Sequence, residues 1–81
     1  MSIHDLNPKI VKKLKKFGIE QKFLKAKALF EENPRHPGLH TELLEPKELQ
    51  IYSFRIDLKY RAQFTVSTGE ARIIDVTLHY Q

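Results

Sequence analysis

The chain has 81 residues, of which 41% are hydrophobic and 30% are charged, and its formal net charge is +4. A chain this short buries only about 60 to 65% of its unfolded surface, so we expect one domain over residues 1–81, with one helical layer on one sheet. Cysteine is absent, which excludes a disulfide framework and a thiolate metal site. The basic balance favours an anionic partner such as nucleic acid.

The sequence contains no run of about 18 apolar residues and no secretory leader. This pattern predicts a soluble, cytoplasmic protein with no membrane partner. Residues 2–6 fit either an edge strand or a loose terminus, because only two apolar residues mark them.

Two helices are predicted next. Asn7 before Pro8 is typical of a helix start, and Gly18 is typical of a helix end. Apolar residues recur between them at helical spacing, at Ile10, Val11, Leu14 and Phe17. A second helix is predicted from about residue 20 to residue 32, with an apolar stripe formed by Phe23, Ala26 and Phe30. Joined at one glycine, the two helices would form an antiparallel hairpin.

The rest of the chain predicts antiparallel strands. Prolines and a glycine within residues 33–38 indicate a loop. Apolar and polar side chains then alternate as in strands, over residues 39–43, 52–58, 60–66 and 71–79. In the last strand, Ile74, Val76 and Leu78 would face the helices. The predicted fold class is α+β, with an N-terminal helical hairpin packed on one face of a three- to four-stranded antiparallel sheet.

The opposite face of that sheet would be polar and rich in charge. It would gather Glu42, Ser53, Arg55, Arg61, Gln63, Asp75, Thr77 and His79. A polar face alone proves little, because antiparallel sheets often leave one face in water. Glu42 could be a solvated carboxylate, and the two arginines could pair with Asp57 and Asp75. The presence of an acid, two arginines and a histidine on the same face of the sheet nevertheless favours a binding or catalytic surface.

These residue types suit cleavage of a phosphodiester by a ribose 2′-hydroxyl. That reaction needs a base, cations at the phosphate and an acid for the leaving oxygen. Glu42, Arg61 with Arg55, and His79 supply these groups without a metal or another cofactor. His36 and His40 could bind a metal with Glu42, but their Pro-rich loop makes a metal site a weak alternative.

Four segments of the sequence resemble the RelE/ParE superfamily of toxins from bacterial type II toxin–antitoxin modules. They are ENPRHPGL, YSFRID, KYRAQF and IIDVTLHY, and the resemblance extends over nearly the whole chain. Within the superfamily the chain is most similar to the YoeB branch of ribosome-dependent mRNA endonucleases, because a His-Tyr pair stands at its end. Tyr52 stands where that branch commonly has tryptophan.

The resemblance implies roles for individual residues. Glu42 would be the general base, Arg61 the phosphate stabiliser and His79 the acid, with Tyr80 completing the catalytic site. Arg55, Lys59 and Gln63 would bind RNA. Glu45, three residues after Glu42, remains an alternative for the functional carboxylate.

The implied partners are a cognate antitoxin and mRNA on the ribosome, and a homodimer is left open. The basic helical hairpin is a candidate surface for the antitoxin. Superfamily members that inhibit DNA gyrase share the fold but lack a nuclease site, so fold alone cannot decide the target. A gyrase inhibitor and an inactive RNA- or protein-binding domain are therefore the alternative functions.

Overall fold

The computed structural model describes residues 1–78 of the chain. Two helices and five strands make up an α+β domain. In chain order they are β1 (Ser2–Ile3), α1 (Pro8–Phe17), α2 (Glu20–Glu32), β2 (Glu42–Leu43), β3 (Tyr52–Arg55), β4 (Tyr60–Ser67) and β5 (Glu70–Leu78). No helix among residues 1–78 is both long and apolar enough to cross a membrane.

The ends of α1 follow from the residues that flank it. The Asn7 side chain accepts a 2.7 Å hydrogen bond from the Lys9 N–H, so it caps one of the free amides of the first turn. Gly18 ends the helix with φ 67°, a conformation that glycine adopts without steric penalty. The predicted start and end of this helix are confirmed.

The sheet contains five strands in the order β1-β5-β4-β3-β2. Strand β1 runs parallel to β5, and the other neighbouring strands are antiparallel. The prediction of a purely antiparallel sheet of three to four strands was therefore only partly right. The reason is that β1 has two residues, which is too short to produce a sequence pattern. Ile3 is nonetheless buried, and its N–H donates a 2.9 Å hydrogen bond to the Glu31 carboxylate.

Both helices contribute to one hydrophobic core with the sheet. The predicted stripe of Phe23, Ala26 and Phe30 is buried. The ring of Phe30 lies 5.1 Å from the ring of Phe54 and 5.0 Å from that of Phe64, measured between centroids. These aromatic contacts fix α2 on strands β3 and β4. The sheet's other face is left for polar side chains.

A register shift in β5 changes which of its side chains face the core. Gln63 pairs with Asp75, whereas the next residue, Phe64, pairs with Ile73, so Ile74 is an extra residue. Ile73 is buried as a result, while Ile74 is 40% exposed. The predicted burial of Ile74 and of Leu78, which is 39% exposed, was wrong, and that of Val76 was right.

The segment predicted as a strand over residues 39–43 is mostly irregular. Pro37–Leu39 forms a short 3₁₀ turn, and His40 follows in the left-handed conformation with φ 46°. Leu39 is buried at the end of the turn. Only Glu42 and Leu43 pair with β3. The irregular segment that contains Pro37 and Gly38 therefore continues three residues beyond the predicted loop, to Thr41.

Candidate active site

A cavity of about 240 Å³ lies on the face of the sheet away from the core. Its lining residues come from β3, β4, β5 and the segment that includes β2. They are Glu42, Leu44, Ser53, Arg61, Gln63, Thr77 and Leu78. Direct pairing brings the polar members together, because Ser53 lies opposite both Glu42 and Gln63 and Arg61 lies opposite Thr77. We refer to this cavity as the Arg61 pocket.

Arg61 is almost completely buried at the base of this pocket, with 5% of its surface exposed. Its Nε–H donates to the Ser53 hydroxyl at 2.9 Å. Its Nη2 donates to two backbone oxygens, that of Ser53 at 3.2 Å and that of His40. The guanidinium is therefore held by three hydrogen bonds to β3 and to the loop before β2.

Among residues 1–78, these bonds involve only the Nε and Nη2 side of the guanidinium. Arginine carries five N–H donors, and the three on Nε and Nη2 of Arg61 are matched by protein acceptors. Within residues 1–78, Nη1 makes no hydrogen bond. A phosphate at this site would be contacted through the two N–H groups of Nη1.

The charge of Arg61 depends on its surroundings. Burial lowers the pKa of its guanidinium, the Glu42 carboxylate raises it, and the Arg55 guanidinium lowers it further, with a net decrease. The guanidinium stays cationic at physiological pH because its pKa starts so far above neutrality. The pocket therefore has a fixed positive charge at its base.

Glu42 provides a carboxylate at the mouth of the pocket. Its Oε1 lies 3.7 Å from Nη2 of Arg61, and 54% of its side chain is exposed. An exposed carboxylate beside a buried cation can take a proton from an incoming hydroxyl while the cation faces the anion. The pair thus places a cation and a carboxylate side by side at the pocket.

The other predicted RNA-binding residues are only partly brought together. Gln63 lines the Arg61 pocket. Arg55 pairs with Arg61 in the sheet, yet its side chain lines a separate cavity of about 170 Å³ beside α2. Lys59 lies in the turn between β3 and β4, with its ammonium 5.8 Å from the centre of the Tyr60 ring.

Two more predicted residues lie elsewhere. Glu45 is exposed and does not line the pocket. Asp75 does not join the Arg61 pocket either, because its carboxylate accepts a 2.6 Å hydrogen bond from Lys13 of α1. The predicted catalytic residues His79 and Tyr80 lie outside the described residues.

Two interactions at the site were missed by sequence reasoning. Ser53 was assigned to the polar face, but its role as the anchor of Arg61 was not recognised. The His40 carbonyl, which accepts a hydrogen bond from Arg61, has no sequence signal of its own. The suggested metal site of His36, His40 and Glu42 is also not formed, since residues 1–78 contain no group of three such side chains that could hold a metal ion.

At the level of sequence, neither a protein-family model nor a curated protein matches this chain. At the level of structure, the YoeB/ParE toxin from Agrobacterium tumefaciens superposes with a TM-score of 0.73 over 99% of this chain and 100% of that one, at 16% identity. The chain has the YoeB/ParE toxin fold. The conserved hypothetical protein HP0894 from Helicobacter pylori is also similar, with a TM-score of 0.56, 16% identity, and coverage of 96% and 91% of the two chains.

The α+β toxin fold expected from the RelE/ParE resemblance is therefore confirmed, whereas the number and direction of its strands were predicted only in part. The match extends over nearly the whole length of this chain. At 16% identity, the structural match shows the arrangement of the helices and strands. A proposal about the reaction has to be argued from the residues of the Arg61 pocket.

Proposed function

We propose that this chain is the toxin of a type II toxin–antitoxin module and acts as a ribosome-dependent mRNA endonuclease. The observation that carries the proposal is the pairing of buried, cationic Arg61 with exposed Glu42 at a separation of 3.7 Å. The fold shared with a protein described as a YoeB/ParE toxin supports the same reading. Neither the fold nor the pocket alone would justify it.

In the proposed reaction, Glu42 removes the proton from a ribose 2′-hydroxyl. The O2′ then attacks the adjacent phosphorus, and the bond from phosphorus to O5′ breaks. The products are a 2′,3′-cyclic phosphate and a 5′-hydroxyl end. Arg61 stabilises the charge that develops on the phosphate oxygens, through Nη1. A well-placed general base contributes about 10² to 10⁴ to such a rate.

His79 would supply the proton that the leaving O5′ needs, and Tyr80 would complete the site. Both assignments rest on the resemblance of the His-Tyr pair to the YoeB branch. Gln63 would contact the same RNA segment as Arg61. Arg55 and Lys59 would contact phosphates farther along the strand, because each lies outside the Arg61 pocket.

The proposed protein partner is an antitoxin with an acidic or apolar segment. The two helices carry many lysines, namely Lys9, Lys12, Lys13, Lys15, Lys16, Lys22, Lys25 and Lys27. Most of these side chains are exposed, so they present a positive surface that attracts an acidic chain. A homodimer remains an alternative use of the exposed surface.

The second candidate is a toxin of the same fold without a nuclease site, such as a gyrase inhibitor, in which Arg61 would have a structural role only. Three of the five guanidinium N–H groups of Arg61 are satisfied internally, and only 5% of the residue is exposed. A structural arginine would have the same properties. The two candidates differ in the role of Glu42, since only the nuclease needs its carboxylate.

Primer extension on messages from cells that briefly express the chain tests the proposal. The wild type should produce cuts within translated codons. Glu42→Gln should remove them, whereas the matched control Glu45→Gln, in the same segment but away from the pocket, should keep them. Growth arrest with DNA damage and intact messages would support gyrase inhibition instead. Loss of cutting in Glu45→Gln alone would transfer the base role to Glu45.

A further inference from the structure

A second cavity adjoins the Arg61 pocket at the edge of the sheet. Its volume is about 380 Å³, compared with about 240 Å³ for the Arg61 pocket. The side chains that matter for its chemistry are Arg35, His36, His40, Glu42 and Tyr52. We refer to it as the loop pocket, because residues 35–41 form much of its wall.

The loop that forms this wall is anchored to the rest of the domain. The Thr41 hydroxyl donates a 2.8 Å hydrogen bond to the Pro34 carbonyl, which ties the two ends of the loop together. Leu39, in the middle, is only 1% exposed and packs in the core. The cavity is therefore part of the folded structure, which reduces the entropy lost when a ligand binds.

Planar side chains in fixed orientations line the cavity. The Tyr52 ring stacks on the Phe64 ring, with centroids 5.6 Å apart and an interplanar angle of 24°. Nδ1 of His36 accepts a 3.0 Å hydrogen bond from the Gly38 N–H, so the proton of the neutral imidazole lies on Nε2. Aromatic and imidazole faces are the surfaces on which unpaired RNA bases stack.

The loop pocket also contains a cation and is linked to the Arg61 pocket. Arg35 is exposed, which suits a contact with a backbone phosphate. Glu42 lines both cavities. The carbonyl of His40 accepts a hydrogen bond from Arg61, while the residue itself lines the loop pocket. The two cavities therefore share a wall at Glu42.

We propose that the loop pocket binds the nucleotide next to the cleaved phosphodiester, a subsite that rests on the proposed nuclease function. The base would stack against Tyr52 and the imidazoles, and Arg35 would contact its phosphate. The same cavity suits an acidic peptide less well. The Glu42 carboxylate in its wall would repel a second carboxylate, whereas a stacked base carries no charge.

Binding of a short single-stranded RNA with 2′-O-methyl groups tests the subsite, because this probe cannot be cleaved by 2′-hydroxyl attack. Tyr52→Leu should weaken binding about tenfold, and Tyr52→Phe should bind within about twofold of the wild type because it keeps the ring. Arg35→Ala should weaken binding and lower the salt dependence by about one phosphate contact. The matched control Arg72→Ala, an exposed arginine on β5, should leave both unchanged.

Wild-type affinity in both Tyr52→Leu and Arg35→Ala would overturn the subsite, as would the absence of measurable binding by the wild type. So would an acidic peptide that displaces the probe and depends on Arg35 more strongly than the probe does. Unfolding curves of each variant ensure that a lost affinity is not lost folding.

Cleavage assays on the same proteins separate this inference from the proposed function. If messages are cut but the two variants bind the probe normally, the subsite fails alone. If the probe depends on Tyr52 and Arg35 but the wild type never cuts RNA, the nuclease assignment fails and the nucleotide site stands.

Discussion

The Nε–H of Arg61 on β4 donates a 2.9 Å hydrogen bond to the hydroxyl of Ser53 on β3, and both residues are almost fully buried. The contact joins two neighbouring strands on the polar face of the sheet. It fixes the direction of the guanidinium, because an N–H in this position cannot rotate toward a ligand without losing its acceptor. Ser53 is therefore a positioning residue for the cation of the proposed site.

The first prediction concerns this positioning. Ser53→Ala should lower the rate of message cleavage about ten- to a hundredfold, because a cation that is slightly displaced stabilises the transition state less well. The free energy of unfolding should fall by about 1–3 kcal/mol, because the buried Nε–H of Arg61 loses its acceptor. Ser67→Ala, an exposed serine on β4, is the control and should change neither quantity. Equal cleavage by both variants would contradict the role of Ser53.

A second prediction concerns the guanidinium itself. Arg61→Lys keeps the charge but cannot match the acceptors on Ser53 and His40 at the same time. Buried acceptors without a donor should reduce the free energy of unfolding by about 1–3 kcal/mol. Cleavage should fall by about 10²-fold or more. Denaturant unfolding and primer extension measure the two effects, with Arg72→Lys as the exposed control. Unchanged stability would show that the three hydrogen bonds contribute little.

The third prediction concerns pH and Asp57, in the turn between β3 and β4. Its carboxylate accepts hydrogen bonds from the backbone N–H groups of Lys59 and Tyr60, and it forms an ion pair with the Lys22 ammonium. Burial raises its pKa, but these contacts outweigh burial and hold the pKa below its ordinary value of 3.8. A group with a lowered pKa stabilises the fold above its unfolded pKa and loses that contribution as the pH falls.

Asp57→Asn should therefore reduce the free energy of unfolding by about 0.5–1.5 kcal/mol near neutral pH. The gap between wild type and variant should narrow below about pH 4, as the wild-type carboxylate takes up a proton. Denaturant unfolding between neutral and acidic pH measures the gap. A gap that stays constant down to acidic pH would mean that the charge of Asp57 does not stabilise the turn.

A fourth prediction tests the core that supports the sheet. Phe30 is 0% exposed and contacts the rings of Phe54 and Phe64. Phe30→Ala should lower the free energy of unfolding by about 3–5 kcal/mol, a large share of the stability of so small a domain. Circular dichroism should show a protein that is mostly unfolded or that melts at a much lower temperature than the wild type. Leu24→Ala, at a position that is 52% exposed, should melt close to the wild type.

The sequence predicted the elements whose cause is local. The Asn7-Pro8 start and the Gly18 end of α1 depend on the chemistry of single residues, and both were found as expected. The alternation in Tyr52–Arg55 and Tyr60–Ser67 predicted two strands for the same reason. Non-local features gave no such signal. The parallel pairing of β1 involves only two residues, which is too few to form a pattern. The extra residue in β5, Ile74, is apolar like its neighbour Ile73, so the sequence does not mark the register shift.

The site follows the same division. Alternation placed Glu42, Ser53, Arg61 and Gln63 on one face, and all four line the Arg61 pocket. Alternation could not show that Arg61 is bound to the His40 carbonyl, because that bond depends on a left-handed turn at a non-glycine residue. It could not show that the side chain of Arg55 lines a different cavity, since strand facing does not determine where a long side chain ends.

In the proposed mechanism, the Arg61 pocket cuts RNA by attack of a 2′-hydroxyl that Glu42 deprotonates. The most direct test uses purified ribosomes, an mRNA, and a second mRNA with a single 2′-deoxy nucleotide at the cut position. Under this mechanism the wild type cuts the first message to a 2′,3′-cyclic phosphate, the deoxy message stays intact at that position, and Glu42→Gln cuts neither. Cleavage of the deoxy message at the same position, or cleavage by Glu42→Gln at the wild-type rate, would contradict it.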